Sequence, residues 1–262
     1  MRHPIALVDA FAERPFTGNP AGVMILDAPL SDALMQAIAA EMAQAETAFA
    51  VPREGGGWDL RWFSPTREVD FCGHATLATA HLLHEEGRAD GLMAFHTRAG
   101  VLRVGVEEGA RYALDLPRQE IADADPASLA DLVPDLTDAF RAGGNAFAVL
   151  RSEAELLAFR PDHAAIAATL GEDGLCVTAP GASTDVASRY FWPGGGIPED
   201  AVTGSAHAAL VPWWAARLGR DRLTAFQASR RGGRLDCHLA HDRVHLAGGA
   251  VTTLRGHVEL PD

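Results

Sequence analysis

Phe63-Ser64-Pro65 runs through Glu68 to Cys72-Gly73-His74-Ala75 and into an apolar helix; Phe191-Trp192-Pro193 runs through Glu199 and Asp200 to Thr203-Gly204-Ser205-Ala206 and into another. Both follow Phe-x-Pro, an acidic loop, x-Gly-[His/Ser]-Ala, then helix. The loops differ by three residues. Upstream, 32–51 and 162–178 match coarsely as helix then strand. A motif recurring at corresponding places in two halves reads as internal duplication. The expected architecture is two pseudo-symmetric domains, 1–117 and 118–262, of α/β (α+β) class. The polar stretch Pro117–Pro126 reads as a linker, and the C-terminal tail is able to pair with either domain.

Working outward, Ile5–Phe11 and Gly22–Leu26 read as strands around the turn Phe16-Thr17-Gly18-Asn19-Pro20. Ser31 is an N-cap, and Leu34, Met35, Ile38, Ala39 and Met42 recur at helical spacing, predicting a helix over 32–45. Strands are expected at Thr47–Val51, Trp58–Phe63, 92–97, 100–106 and 111–116. The second half repeats the plan, with a helix near 205–218 and strands over 222–259. The helices after Gly73 and Gly204 carry almost no polar face, so both should be buried on most sides. His81 and His84 lie i, i+3 on the first of these and lack a third ligand, so they read as ordinary helix histidines.

Glycine at a helix start lets backbone approach a ligand closely, and the first turn carries unpaired N–H groups with a partial positive charge. Two such ends facing a cleft would hold a carboxylate or a developing oxyanion. The same residues also read as two ordinary capped helices, with Thr203 and Ser205 as caps. Glu46 is the candidate base: at the end of the 32–45 helix it opposes the helix dipole, and Ala45, Ala48 and Phe49 desolvate it, both raising its pKa. An exposed helix-end glutamate is the plainer reading. His74 reads as a core or a functional histidine. Asp200 reads as a substrate-orienting group or a turn cap. Cys72, at a helix N-terminus, reads as a reactive thiol or as a small buried hydrophobe.

The 262 residues include no lysine; all 22 basic residues are arginine. That excludes a Schiff-base lysine for pyridoxal phosphate and the Gly-Lys-[Ser/Thr] ending of a Walker A loop. A net charge of −13 disfavours a nucleic-acid footprint. No run of 18 apolar residues and no signal-peptide stretch before Asp9 is present. Three widely spaced cysteines, Cys72, Cys176 and Cys237, fit reduced thiols in a cytoplasm and no Cys-rich zinc site.

The chain resembles the PhzF-like family named for phenazine biosynthesis. The resemblance is carried by Val8-Asp9-Ala10-Phe11, Phe16-Thr17-Gly18-Asn19-Pro20-Ala21, Glu46-Thr47-Ala48-Phe49, Cys72-Gly73-His74-Ala75-Thr76-Leu77-Ala78 and Glu199-Asp200-Ala201-Val202-Thr203-Gly204-Ser205-Ala206-His207. It implies the diaminopimelate-epimerase-like fold: two similar domains, each a curved, mostly antiparallel sheet around a central helix, with the site in the cleft between them. It also implies a cofactor-free, homodimeric isomerase. By motif match Glu46 is the proton-shuttling acid/base, His74 and Asp200 contact the substrate, and Gly73, Gly204 and Ser205 surround the bound acid. Ala201 stands where the family usually has proline after Glu-Asp. The wider superfamily includes racemases with one thiol from each half; here Cys72 occupies the first position and Thr203 the second, which disfavours that chemistry.

The expected activity is therefore a cofactor-independent isomerase that moves a proton within a small carboxylate-bearing metabolite. A racemase or epimerase using Glu46 or Cys72 is the second hypothesis. A non-catalytic small-acid-binding protein is the third. No metal, nucleic acid or membrane partner is expected.

Overall fold

The computed structural model describes residues 2–260. Its elements run β1 (Arg2–Ala10), β2 (Asn19–Ile25), α1 (Asp32–Met42), β3 (Glu46–Pro52), β4 (Trp58–Phe63), β5 (Glu68–Val69), α2 (Gly73–Glu85), β6 (Leu92–Thr97), β7 (Gly100–Glu107) and β8 (Arg111–Pro117). They continue with β9 (Ala122–Asp123), β10 (Asp138–Ala142), β11 (Asn145–Val149), α3 (Glu153–Ala158), α4 (His163–Leu170), β12 (Leu175–Pro180), β13 (Val186–Trp192) and β14 (Ile197–Asp200). Last come α5 (Gly204–Leu218), β15 (Arg222–Gln227), β16 (Gly233–Ala240) and β17 (Arg243–Glu259). Two compact units result: the chain up to Asp115 with the segment from Ala247 on, and Leu116–Leu246. β17 pairs antiparallel with β1 from Arg2↔Glu259 to Ala10↔Ala250, which fixes where the tail goes.

The duplication is legible in strand pairing. In the first unit β2 and β3 are parallel, β3 and β4 antiparallel, β4 and β6 parallel, and β6 and β7 antiparallel. In the second, β11 and β12 are parallel, β12 and β13 antiparallel, β13 and β15 parallel, and β15 and β16 antiparallel. Each unit is thus a mixed, mostly antiparallel sheet with one long apolar helix, as the resemblance implies for a diaminopimelate-epimerase-like fold.

The lack of a polar face on α2 has the expected consequence: every residue from Gly73 to Leu83 is buried, packed against β1, β2, β3 and β7. Each fully buried Leu there contributes about 1.5–3 kcal/mol. His81 and His84 serve this packing, both with Nδ1 at hydrogen-bond distance from the Tyr112 hydroxyl, 3.1 and 3.0 Å. α5 is buried from Ala206 to Ala215 and contains Pro212. Proline has no N–H to give the carbonyl one turn back. The Ala208 carbonyl instead accepts the Gln119 N–H at 3.2 Å, so the helix continues without an orphaned acceptor.

Two expectations need correction. Helix α1 stops at Met42, because Ala43 turns left-handed (φ 51°) and its N–H closes on Ala39. Glu46 therefore opens β3 rather than ending a helix, and the helix-dipole part of the argument for its acidity does not apply. The stretch Pro117–Pro126 is not a plain linker: β9 within it pairs with β10 through Phe140↔Asp123 and Arg141↔Ala122. Both β9 residues are exposed, which is why composition reads them as loop.

Candidate active site

In the first unit the elements above converge on Glu46. Parallel pairing sets Ala21 opposite Glu46, and antiparallel pairing sets Thr47 opposite Phe63. The strand start carrying Glu46 and the loop that leads from β4 to α2 are thereby brought to one end of the sheet. The Cys72 thiol donates to Glu46 Oε2 at 3.4 Å, and His74 Nε2 lies 3.4 Å from the same oxygen. Cys72 Sγ is 3.5 Å from His74 Nδ1 and 4.0 Å from Nε2. All three side chains are buried.

Burial pushes the His74 imidazole down to about 3, so the ring is neutral at ordinary pH. Its contact with Glu46 is then a hydrogen bond from a neutral donor rather than an ion pair. The tautomer follows from a residue that motif reading had not singled out. The Asn19 amide donates to His74 Nδ1 at 3.3 Å, which leaves the proton on Nε2, facing Glu46. Asn19 is itself buried and is set by the turn before it. Gly18 has φ +66°, and a Cβ there would lie 2.1 Å from the Ala10 carbonyl oxygen. The buried Asp9 carboxylate accepts the Phe16 N–H at 2.7 Å, pinning the same turn.

The second unit builds its counterpart around Asp200 and Thr203. The Thr203 hydroxyl donates to Asp200 Oδ2 at 2.5 Å. Gln227 grips the loop three times. Its Oε1 accepts the Thr203 N–H at 2.8 Å, and its Nε2 donates to the Asp200 carbonyl at 2.9 Å and to Thr203 Oγ1 at 3.1 Å. Ser229 Oγ donates to the Ala201 carbonyl at 2.8 Å. Side-chain clamps of this kind hold the loop where the family's usual proline is absent. Gly204 and Ser205 open α5, as Gly73 and His74 open α2.

Neither Cys72 nor Thr203 makes a side-chain cap on the helix that follows it. That overturns the reading of Thr203 as a cap; its hydroxyl is committed to Asp200. Each N-cap carbonyl is instead held from inside its own helix, four residues on. Thr76 Oγ1 donates to Cys72 O at 2.6 Å, and His207 Nδ1 lies 2.8 Å from Thr203 O. His207 is wholly buried and pushed down to about 4 by desolvation, and among the described residues its Nε2 has no hydrogen-bond partner.

A second duplicated device ties each loop down. Arg61 binds Glu68 through Nε and Nη2, both at 2.7 Å, and its guanidinium lies 5.2 Å from the Phe63 ring centroid. Arg189 binds Glu199 through the same atoms at 2.7 and 3.2 Å and lies 4.9 Å from the Phe191 ring centroid. Motif reading includes Glu68 and Glu199 in the acidic loops but not their partners. The missed signal is an arginine two residues before each Phe, which pairs with the glutamate five residues before each Gly. Bidentate arginine–carboxylate pairing with a stacked ring fixes a loop geometrically as well as energetically.

Among the described residues, Glu46, Cys72 and His74 form the one group of three potential metal ligands whose donor atoms lie within 4.8 Å of one another. No helix among the described residues is long and apolar enough to cross a membrane.

A family model described as phenazine biosynthesis-like protein matches residues 8–256. A Pseudomonas aeruginosa protein named as an uncharacterized isomerase is 47% identical over 257 residues, covering 97% of each chain. The crystal structure of a phenazine biosynthesis PhzF-family protein from Enterococcus faecalis has a TM-score of 0.94 at 42% identity, covering 99% of this chain and 100% of that one. A hydroxyproline epimerase from Agrobacterium vitis shares the fold alone, with a TM-score of 0.68 at 13% identity over 100% of this chain and 93% of that one. With a family match over almost its whole length and relatives named as isomerases, this chain belongs to the PhzF-like family.

Proposed function

We propose that the chain is a cofactor-independent isomerase that moves a proton within a small carboxylate-bearing metabolite, with Glu46 as the general acid/base. The observation that carries this reading is the buried Glu46 carboxylate, which faces a thiol and a neutral imidazole at 3.4 Å each. A carboxylate held that way is oriented and shielded, as proton abstraction next to a π-system requires. Glu46 takes a proton from one carbon of the substrate and returns it to another carbon of the same conjugated system. The substrate gains and loses one proton, and no oxidant or reductant is involved. Neutral His74 stands beside the substrate and orients the Glu46 carboxylate through its Nε2–H, without adding a positive charge. Asp200 orients a substrate amine or hydroxyl. The first turns of α2 and α5, with Gly73, Gly204 and Ser205, stabilise the developing negative charge. Positioned acid/base catalysis supplies roughly 10²–10⁴-fold, and the electrostatics of the two helix starts supply the rest. The proposal includes a homodimer.

The test is incubation with a panel of small carboxylates in D2O, read by mass shift. Wild type incorporates deuterium into its substrate and Glu46→Gln does not. Retained exchange and turnover in Glu46→Gln overturns the assignment.

A racemase reading draws support from Cys72, whose thiol shares the Glu46 carboxylate with His74. It predicts loss of optical rotation in a single-enantiomer amino or hydroxy acid, abolished by Cys72→Ser. It is weakened by Thr203, the matching position, whose hydroxyl is bound to Asp200.

A further inference from the structure

We infer that Ser188, His207 and Thr178 hold one internal water molecule under the start of α5, and that this water locks His207 in the tautomer that grips the Thr203 carbonyl. The argument is first one of placement. Thr178, Ser188 and Gln227 stand side by side on β12, β13 and β15, through the pairs Thr178↔Ser188 and Ser188↔Gln227. Neighbouring strands lie about 4.8 Å apart, so this row is about 10 Å long. The α5 segment is fastened to both of its ends. The Thr203 N–H donates to Gln227 Oε1 at 2.8 Å, and Trp214 Nε1 donates to Thr178 Oγ1 at 3.1 Å. Thr203, His207 and Trp214 fall within about 40° of one another around the helix axis, with His207 about 6 Å along from Thr203. The imidazole therefore faces the middle of the row, which is Ser188.

The hydrogen-bonding chemistry agrees. Among the described residues four buried side-chain atoms lack a hydrogen-bond partner, and two of them are Ser188 Oγ and His207 Nε2. Leaving such atoms unpaired costs stability, so buried polar groups in native proteins have partners, ordered water included. A carbonyl only accepts, so His207 carries its proton on Nδ1, 2.8 Å from Thr203 O. Burial keeps the ring neutral, and Nε2 is then a bare acceptor. Ser188, itself 1% exposed, brings a hydroxyl proton. The two groups are complementary, yet they stand beyond direct contact. Thr178 Oγ1 gives its proton to the Ala187 carbonyl at 2.8 Å and takes the Trp214 N–H, which leaves it one lone pair. A water that accepts from Ser188 and donates to His207 Nε2 and Thr178 Oγ1 makes three hydrogen bonds, the usual number for a buried water.

The duplication supplies an internal control. Thr76 and His207 each stand three residues after the glycine that opens their helix, and Leu60 and Ser188 each stand three before the repeated phenylalanine. Ala50 opposes Leu60 as Thr178 opposes Ser188. In the first unit the Thr76 hydroxyl meets the Cys72 carbonyl directly, above apolar Leu60 and Ala50. In the second an imidazole takes that place, above two hydroxyls. The three positions differ together, as a shared polar site requires and packing alone does not. Because Thr203 also binds Asp200 through its hydroxyl, His207 and Ser188 are positioning residues for Asp200.

That last consequence rests on the reading of Asp200 as a substrate-orienting group; the water site does not. The test joins a crystal structure of the full chain, at a resolution that shows ordered water, to ring-nitrogen NMR of the ¹⁵N-histidine-labelled protein near neutral pH. The expected density is one water about 2.7–3.2 Å from Ser188 Oγ, Thr178 Oγ1 and His207 Nε2. The expected spectrum has His207, assigned by its loss in His207→Thr, protonated at Nδ1 and bare at Nε2. Ser188→Ala moves the Nε2 signal and raises the unfolding equilibrium constant roughly tenfold. Installing the first unit's pair, His207→Thr with Ser188→Leu, costs at least tenfold less in that constant than the two single changes predict when combined. A dry interior, a direct Ser188–His207 hydrogen bond, or a His207 proton on Nε2 overturns the site. Additive single changes overturn the coupling of His207 to Ser188. The wild-type density and spectrum decide the matter even where a variant does not fold. If water and tautomer are as expected but Asp200→Asn leaves exchange and turnover intact in the D2O panel, the site stands and the role of Asp200 falls. If the interior is dry but Asp200→Asn is inactive, the reverse holds.

Discussion

Replacing Glu68 by glutamine removes the charge that holds the loop leading to Cys72-Gly73-His74 while keeping its shape. In the native chain Glu68 accepts both Arg61 nitrogens at 2.7 Å and also Arg98 Nη2 at 2.7 Å. The Arg61 and Glu68 side chains are 31% and 13% exposed. Hydrogen bonding to Glu68 first, and to Asp32 second, raises Arg61 above its ordinary value. An exposed pair contributes about 0.2–1 kcal/mol, and breaking a fully buried one costs about 3–5 kcal/mol. The Arg61–Glu68 pair lies between these limits, and Arg98, 56% exposed, adds little through solvent. Glu68→Gln is therefore expected to cost about 2 kcal/mol. For a chain of this length that is a fall in Tm of about 4–8 °C by calorimetry. A double-mutant cycle with Arg61→Met should return about 1–2 kcal/mol of coupling. Glu199→Gln should behave alike in the second unit, where Arg189 and Glu199 are 12% and 24% exposed and Arg189 also donates to the Phe159 carbonyl at 2.8 Å. A Glu68→Gln loss within about 0.5 kcal/mol, the range of an ordinary surface substitution, or a cycle without coupling, refutes the view that these pairs hold the loops.

Two further outcomes follow from the same geometry. His74 and His207 fold with imidazoles pushed down to about 3 and about 4. Between their unfolded value of about 6.5 and these lower ones only the unfolded chain binds the protons, so stability falls as pH falls through that window, by up to about 1.4 kcal/mol per pH unit per histidine. Urea midpoints between pH 7.5 and pH 4.5 should show that slope, His207→Leu should reduce it by up to about 1.4 kcal/mol per pH unit, and an unchanged slope would mean that His207 is not held neutral. Gly18→Ala forces a Cβ against the Ala10 carbonyl at a positive φ; the strained backbone alone costs about 1–3 kcal/mol, and a Tm equal to wild type would show that the turn setting Asn19 yields freely.

The two-fold plan was open to reading in one dimension, because each repeated motif is short and each helix after it is apolar on every face. Periodicity located the helices for the same reason, since burial pattern is a local property. The Glu46 neighbourhood was legible only as a list of residue types. Glu46 and Cys72 are 26 residues apart, and Asn19 and His74 are 55 apart; what joins them is parallel register between β2 and β3 and antiparallel register between β3 and β4. Where α1 stops decided whether Glu46 faced a helix end or began a strand, and that turned on the left-handed backbone of Ala43, which composition does not announce. Gln227 gave no local signal, since its amide meets Asp200 and Thr203 only when β15 lies beside β13. The sequence by itself determined the repeat, the buried helices and the chemical types available to the site. Tertiary structure decided which of those groups touch, because strand register converts distant positions into neighbours and no local rule specifies register.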